Sequence, residues 1–125
     1  MFAKVAFTMY PVKDMARAEL FYRETLGLGR SSGSVERGWV EFDLPNGGCL
    51  ALTTHSGSQP SAGAGGTIAF EVDDLDRLVE ELKAKNVALP ATDIQSPVCR
   101  MAVCIDSEGN KIVLHQLKKK AAQAS

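Results

Sequence analysis

His55 and His115 are the only imidazoles in this 125-residue chain, and imidazole is the commonest metal-binding side chain in proteins. With Glu41 and Glu71 they supply ligand types adequate for zinc or iron. No local spacing ties the four together, so histidines hydrogen-bonded at a cavity rim, or simply exposed, are the competing reading. Arg100 can anchor a ligand carboxylate or phosphate through two parallel N–H bonds, or can pair with Glu71 or Glu41. Cys104 offers a thiol on the same strand. With no evident base to make it a thiolate, it reads as a buried thiol before a nucleophile. Trp39, the one tryptophan, suits a stacking wall for a flat or aromatic ligand, and equally a dimer contact.

Strands and helices must bring these side chains together. An extended run over 5–12 precedes Asp14, whose carboxylate can cap a helix over 15–26 in which Met15, Ala18, Tyr22 and Leu26 recur at helical spacing, and Gly27 suits its end. A weaker strand over 28–34 and strands over 39–44 and 48–55 follow. Pro45-Asn46-Gly47 joins the last two, and its Asn-Gly pair tolerates the positive φ of a tight hairpin. Residues 56–66 hold only Ser, Gly, Gln, Pro and Ala and read as a linker. The same order then returns: an extended run over 67–72, Asp74 as cap, Leu75, Leu78, Val79 and Leu82 at helical spacing, and strands over 91–95, 98–105 and 111–117. Placing Asp14 on Asp74 also places Val12 on Val72, Met15 on Leu75, Ala18 on Leu78 and Tyr22 on Leu82. The halves therefore read as duplicated β-α-β-β-β modules within one domain, over about 1–55 and 67–117, with a solvated tail over 118–125.

Successive strand side chains project to opposite sides of a sheet. One row is uniformly apolar (Val40, Phe42, Leu44, Leu50, Leu52, Ile68, Phe70, Val72, Ile112 and Leu114) and suits cover by the two helices. The other carries Phe7, Met9, Trp39, Glu41, Asp43, Ala51, Thr53, His55, Thr67, Glu71, Arg100, Cys104, Val113 and His115. Such a mixture suits a pocket, where apolar walls bury a ligand and a few polar groups orient it. A wet outer sheet or a dimer surface fits the same alternation.

Composition narrows the partners. Fourteen basic against fifteen acidic residues give a net charge of −1, without the excess that nucleic acid or an anionic membrane demands. No stretch approaches the ~20 apolar residues that cross a bilayer. Three cysteines, Cys49, Cys99 and Cys104, lack paired spacing and read as reduced thiols of a cytoplasmic protein.

The run Val12-x-Asp14-Met15-x-x-Ala18-x-x-Phe21-Tyr22-x-x-x-Leu26-Gly27, then Ala69-Phe70-x-Val72-x-Asp74-Leu75, then Asp106-x-x-Gly109-Asn110-x-Ile112-x-Leu114, resembles the vicinal oxygen chelate superfamily. That group contains glyoxalase I, extradiol dioxygenases and bleomycin-resistance proteins. The resemblance covers nearly the whole chain and implies an α+β fold: two tandem β-α-β-β-β modules forming curved mixed sheets around a cavity, helices outside, commonly as a homodimer. It further implies that a divalent metal, where one is bound, sits on four inward positions, which fall here on Phe7, Ala51, Thr67 and Val113. Phe, Ala and Val carry no lone pair, and a neutral Thr hydroxyl is a poor ligand for such ions; shifting the register by one residue brings in no better ligand.

The expectation is a small-molecule binding protein without a cofactor, its ligand an aromatic compound or a thiol conjugate. Phe7, Met9, Trp39, Glu41, Thr53, His55, Thr67, Glu71, Arg100, Cys104, Val113 and His115 are its candidate contacts. Two alternatives stay open: a lyase or dioxygenase of glyoxalase type with a displaced metal on His55, His115 and Glu71, and a non-catalytic interaction module.

Overall fold

The computed structural model describes residues 1, 3, 5–63 and 66–118. The chain runs β1 (Thr8–Pro11), α1 (Met15–Leu20), β2 (Ser32–Ser34), β3 (Trp39–Asp43), β4 (Cys49–Thr53), β5 (Ile68–Glu71), α2 (Leu75–Ala84), β6 (Ala91–Gln95), β7 (Cys99–Ile105) and β8 (Lys111–Leu117). The fold is α+β, with two four-stranded mixed sheets of identical topology, β1-β4-β3-β2 and β5-β8-β7-β6. In each, the first strand runs parallel to the last, as β1 with β4 and β5 with β8, and the remaining pairs are antiparallel. The repeated β-α-β-β-β order read from the sequence is thus present twice. Two compact units result: Met1–Ala64 with the turn Ser107–Asn110, and Gly65–Asp106 with Lys111–Ser125. The expected tail over 118–125 lies, beyond Lys118, outside the described residues, as do Ala64 and Gly65 of the expected linker.

Both helices start where a side chain satisfies an orphan N–H. The carboxylate of Asp14 accepts from Arg17 N at 3.1 Å and that of Asp74 from Arg77 N at 3.1 Å. α1 departs from the expected single helix over 15–26, because Phe21–Thr25 form a π-helical turn. Leu26 N bonds to Phe21 O at 2.9 Å, one residue further back than an α-helix reaches. Adjacent Phe21 and Tyr22 are both buried there, edge to face with ring centroids 5.4 Å apart. Gly27 follows at φ 77°, the left-handed terminus that favours glycine.

In unit 1, Met15 and Ala18 of α1 and Tyr22 of the π-helical turn pack with Val40, Phe42, Leu50 and Leu52, all buried, with the Tyr22 and Phe42 ring centroids 6.0 Å apart. In unit 2, α2 buries Leu75, Val79 and Leu82, and the sheet buries Phe70, Ala102, Cys104, Ile112 and Leu114. Each large apolar side chain so buried contributes about 1.5–3 kcal/mol.

Two expectations are corrected. The hairpin between β3 and β4 places its positive φ angles on Gly47 (108°) and Gly48 (91°), not on Asn46; a second glycine takes the strained position at less steric cost than Asn. Arg100 and Cys104 lie on the helix-covered face of the second sheet. Cys104 pairs with Ile112, Ala102 with Leu114 and Arg100 with Gln116, and cross-strand partners share a face. The apolar run of β7 is nearly continuous, so alternation carried no parity, and only pairing with β8 assigned one.

Candidate functional site

Each sheet has a far face, turned away from its helix. On the first, the register Met9↔Ala51↔Glu41 and Pro11↔Thr53↔Trp39 sets these residues side by side, and strand alternation continues the row to Phe7. Phe7 meets Trp39 edge to face, centroids 5.4 Å apart at 86°. Phe7 and Met9 remain 43% and 45% exposed, although their neighbours Ala51 and Thr53 are buried. The indole Nε1 donates to Glu41 Oε2 at 2.6 Å, which fixes the ring plane. Thr53 Oγ1 accepts the His55 backbone N–H at 2.9 Å, and His55 itself sits exposed beyond β4 with Nε2 2.7 Å from Arg37 O.

A grouping that the sequence reading overlooked stands on the same face. One ligand atom each from Glu41, Asp43 and Cys49 lie within 4.8 Å of one another, because Asp43 and Cys49 are direct partners across the hairpin. The alternation of β3 and β4 around Pro45-Asn46-Gly47 was the signal available. Burial, then the charges of Glu41 and Asp43, push the Cys49 thiol up to about 11.

On the far face of the second sheet, Glu71 and His115 are partners on parallel β5 and β8. His115 Nδ1 is 2.6 Å from Glu71 Oε1, and Glu71 Oε2 accepts the Leu117 N–H at 2.9 Å. The Leu117 N–H, then the imidazole, hold the Glu71 carboxyl below its ordinary range against the opposing effect of burial. Val113 shares this face, and Thr67, one residue before β5, continues it by alternation.

Arg100 pairs with neither Glu71 nor Glu41. Its guanidinium grips Asp76 of α2 through Nη2 to Oδ1 at 2.7 Å and Nη1 to Oδ2 at 3.1 Å, while its buried Nε has no partner among the described residues. Cys104 is fully buried under α2, and burial, then the Asp106 charge, push its thiol up to about 12. Neither is placed to touch a ligand on the far face. Arg100 and Asp76 instead line an open groove of about 670 Å³ between α2 and β6. Its cations are already engaged, Arg100 by Asp76 and Lys83 by Glu80 at 3.5 Å. Of the set His55, His115 and Glu71, the structure brings the last two together, and His55 belongs to unit 1.

The sequence signature described as Glyoxalase/Bleomycin resistance protein/Dioxygenase superfamily matches residues 4–114. The chain belongs to that superfamily. Among solved members, an antibiotic binding protein from Streptomyces sp. CB03234 shares 27% identity at a TM-score of 0.77, over 94% of this chain and 98% of that one. A glyoxalase/bleomycin resistance protein from the same organism shares 28% at 0.70, over 86% and 96%. Lactoylglutathione lyase from Agrobacterium tumefaciens, at 19% identity and 0.74 over 91% and 93%, shows the shared superfamily fold. None of the curated proteins matches. No described helix is long and apolar enough to cross a membrane.

Proposed function

We propose that this superfamily member is a small-molecule binding protein that works without a metal, and that the far face of its first sheet is an aromatic-ligand wall. The observation that carries the reading is the Phe7–Trp39 corner: Phe7 and Met9 are left 43% and 45% exposed beside a half-buried Trp39, with the indole plane pinned by Glu41. Such surface is costly to leave wet and suits stacking. The likeness to an antibiotic binding protein supports the same reading. The positions at which the resemblance puts metal ligands do not fit a divalent ion, since Phe7, Ala51 and Val113 offer no donor and Thr67 only a hydroxyl. A homodimer and a cytoplasmic location belong to this proposal; three free cysteines support the latter.

Trp39 emission reads the proposal directly. Titrating small aromatic compounds and thiol conjugates is expected to shift or quench it, with Phe7→Ala weakening affinity about tenfold, the worth of one aromatic contact. Emission indifferent to the whole library would refute the wall. Elemental analysis of the purified protein showing one equivalent of zinc, nickel, manganese or iron would instead favour the metal-dependent lyase or dioxygenase. Light scattering at the monomer mass would remove the dimer.

A further inference from the structure

The Glu71–His115 pair has the geometry of an oriented acceptor, and nothing in the binding reading above uses it. Glu71 is clamped from two sides, by the Leu117 N–H at 2.9 Å and by the ring at 2.6 Å. A carboxylate whose Oε2 already takes the Leu117 N–H can only accept hydrogen bonds at Oε1 as well. The bond at Nδ1 is therefore made with Nδ1–H as donor, and this assigns the neutral ring's lone pair to Nε2. Nε2 has no hydrogen-bond partner among the described residues, and the side chain is 27% exposed. The positions around it on the same face are apolar: Met101 across the strand pair, Val113 and Leu117 along β8. An apolar ligand seated on these side chains would shut water out from Nε2, which strengthens a hydrogen bond made there.

The geometry points to a binding subsite on the second sheet in which His115 Nε2 accepts a hydrogen bond from a weakly acidic hydroxyl, a phenol or enol, on an otherwise apolar ligand, with Glu71 as the positioning residue. This rests on the small-molecule reading and adds to it the ligand's chemical class. A methyl ether of the same phenol has the same shape and no donor, and leaves Nε2 unpaired.

The test uses the full chain and simple phenols, 4-nitrophenol and 1-naphthol, each against its methyl ether. Binding is read by equilibrium dialysis, and the ring nitrogens of His115 by ¹⁵N NMR. The phenols are expected to bind about tenfold more tightly than the ethers, the worth of one hydrogen bond, and to move the Nε2 resonance. His115→Phe should bring the ratio to about one. Glu71→Ala should transfer the ring proton from Nδ1 to Nε2 and abolish the preference, whereas Glu71→Gln, whose amide oxygen still accepts from Nδ1–H, should keep both. Phenols and ethers binding equally to the wild-type protein, or a wild-type ring protonated at Nε2, would overturn the subsite while leaving the aromatic wall intact. Failure of both phenols and both ethers to bind, with Trp39 silent to the wider library, would overturn both proposals.

Discussion

Removing the carboxylate of Glu108 should loosen the start of α1. Its side chain is 1% exposed and accepts from Lys13 N at 2.7 Å, Asp14 N at 3.1 Å, Arg17 Nε at 2.9 Å and Arg17 Nη2 at 2.5 Å. Glu108→Ala leaves two backbone donors just ahead of the helix without a protein partner. An unsatisfied buried donor costs about 1–3 kcal/mol, and the low end applies because Lys13 and Asp14 are exposed enough for water to return. The Arg17 side chain is 58% exposed, so its ion pair adds only about 0–1 kcal/mol. The expected loss is about 2–3 kcal/mol, or roughly 10 °C in melting temperature for a chain of this size. Glu108→Gln keeps one acceptor oxygen and should lose less.

The same contact has a pH signature. Burial pushes the Glu108 carboxyl up, but the Lys13 N–H, the Arg17 guanidinium and the Asp14 N–H outweigh it and hold the group below its ordinary value. A carboxyl depressed in the folded state contributes stability that is fully present above its unfolded value of about 4.3 and is lost as pH falls through the lower folded one. Urea unfolding followed by circular dichroism should therefore show the full gap between wild type and Glu108→Ala at pH 7, narrowing at and below pH ~4. A gap under about 0.5 kcal/mol at pH 7, or one that is the same at pH 7 and pH 3, would refute the reasoning.

Cys49, with its thiol pushed up to about 11 by burial and by Glu41 and Asp43, should react slowly with a thiol reagent at pH 7. Asp43→Asn should speed the reaction several-fold by lowering that value, and an unchanged rate would show that the carboxylates are not felt. Gly33, at φ 92°, has Trp39 O 2.3 Å from where a Cβ would stand. Gly33→Ala should cost about 2–4 kcal/mol through backbone strain and the forced shift of β3, read by thermal melting together with a change in Trp39 emission.

The motif Asp106-x-x-Gly109-Asn110 shows how far residue types alone can be followed. A turn was legible from its composition, and Gly109 does adopt φ 94°. The work of its polar members was not. Asn110 donates to Pro11 O at 2.9 Å and accepts from Ser61 N at 3.1 Å, and Glu108 reaches Asp14 across a sequence separation of 94. No periodicity connects residues that far apart.

The chain's own pattern sufficed for the β-α-β-β-β succession along each half, both helix N-caps and the far-face row Phe7, Met9, Trp39, Glu41, Ala51 and Thr53. Each of these depends on spacing within a few residues, where 3.6- and 2-residue periods and a capping carboxylate act directly. Pairing between strands decided the rest. It turned Arg100 and Cys104 to the helix side, gave Arg100 to Asp76, set Cys49 beside Asp43 and joined His115 to Glu71. A β-strand's parity is invisible when both its faces are apolar, and a hydrogen-bond partner on another strand is chosen by register, which exists only once the sheet has formed.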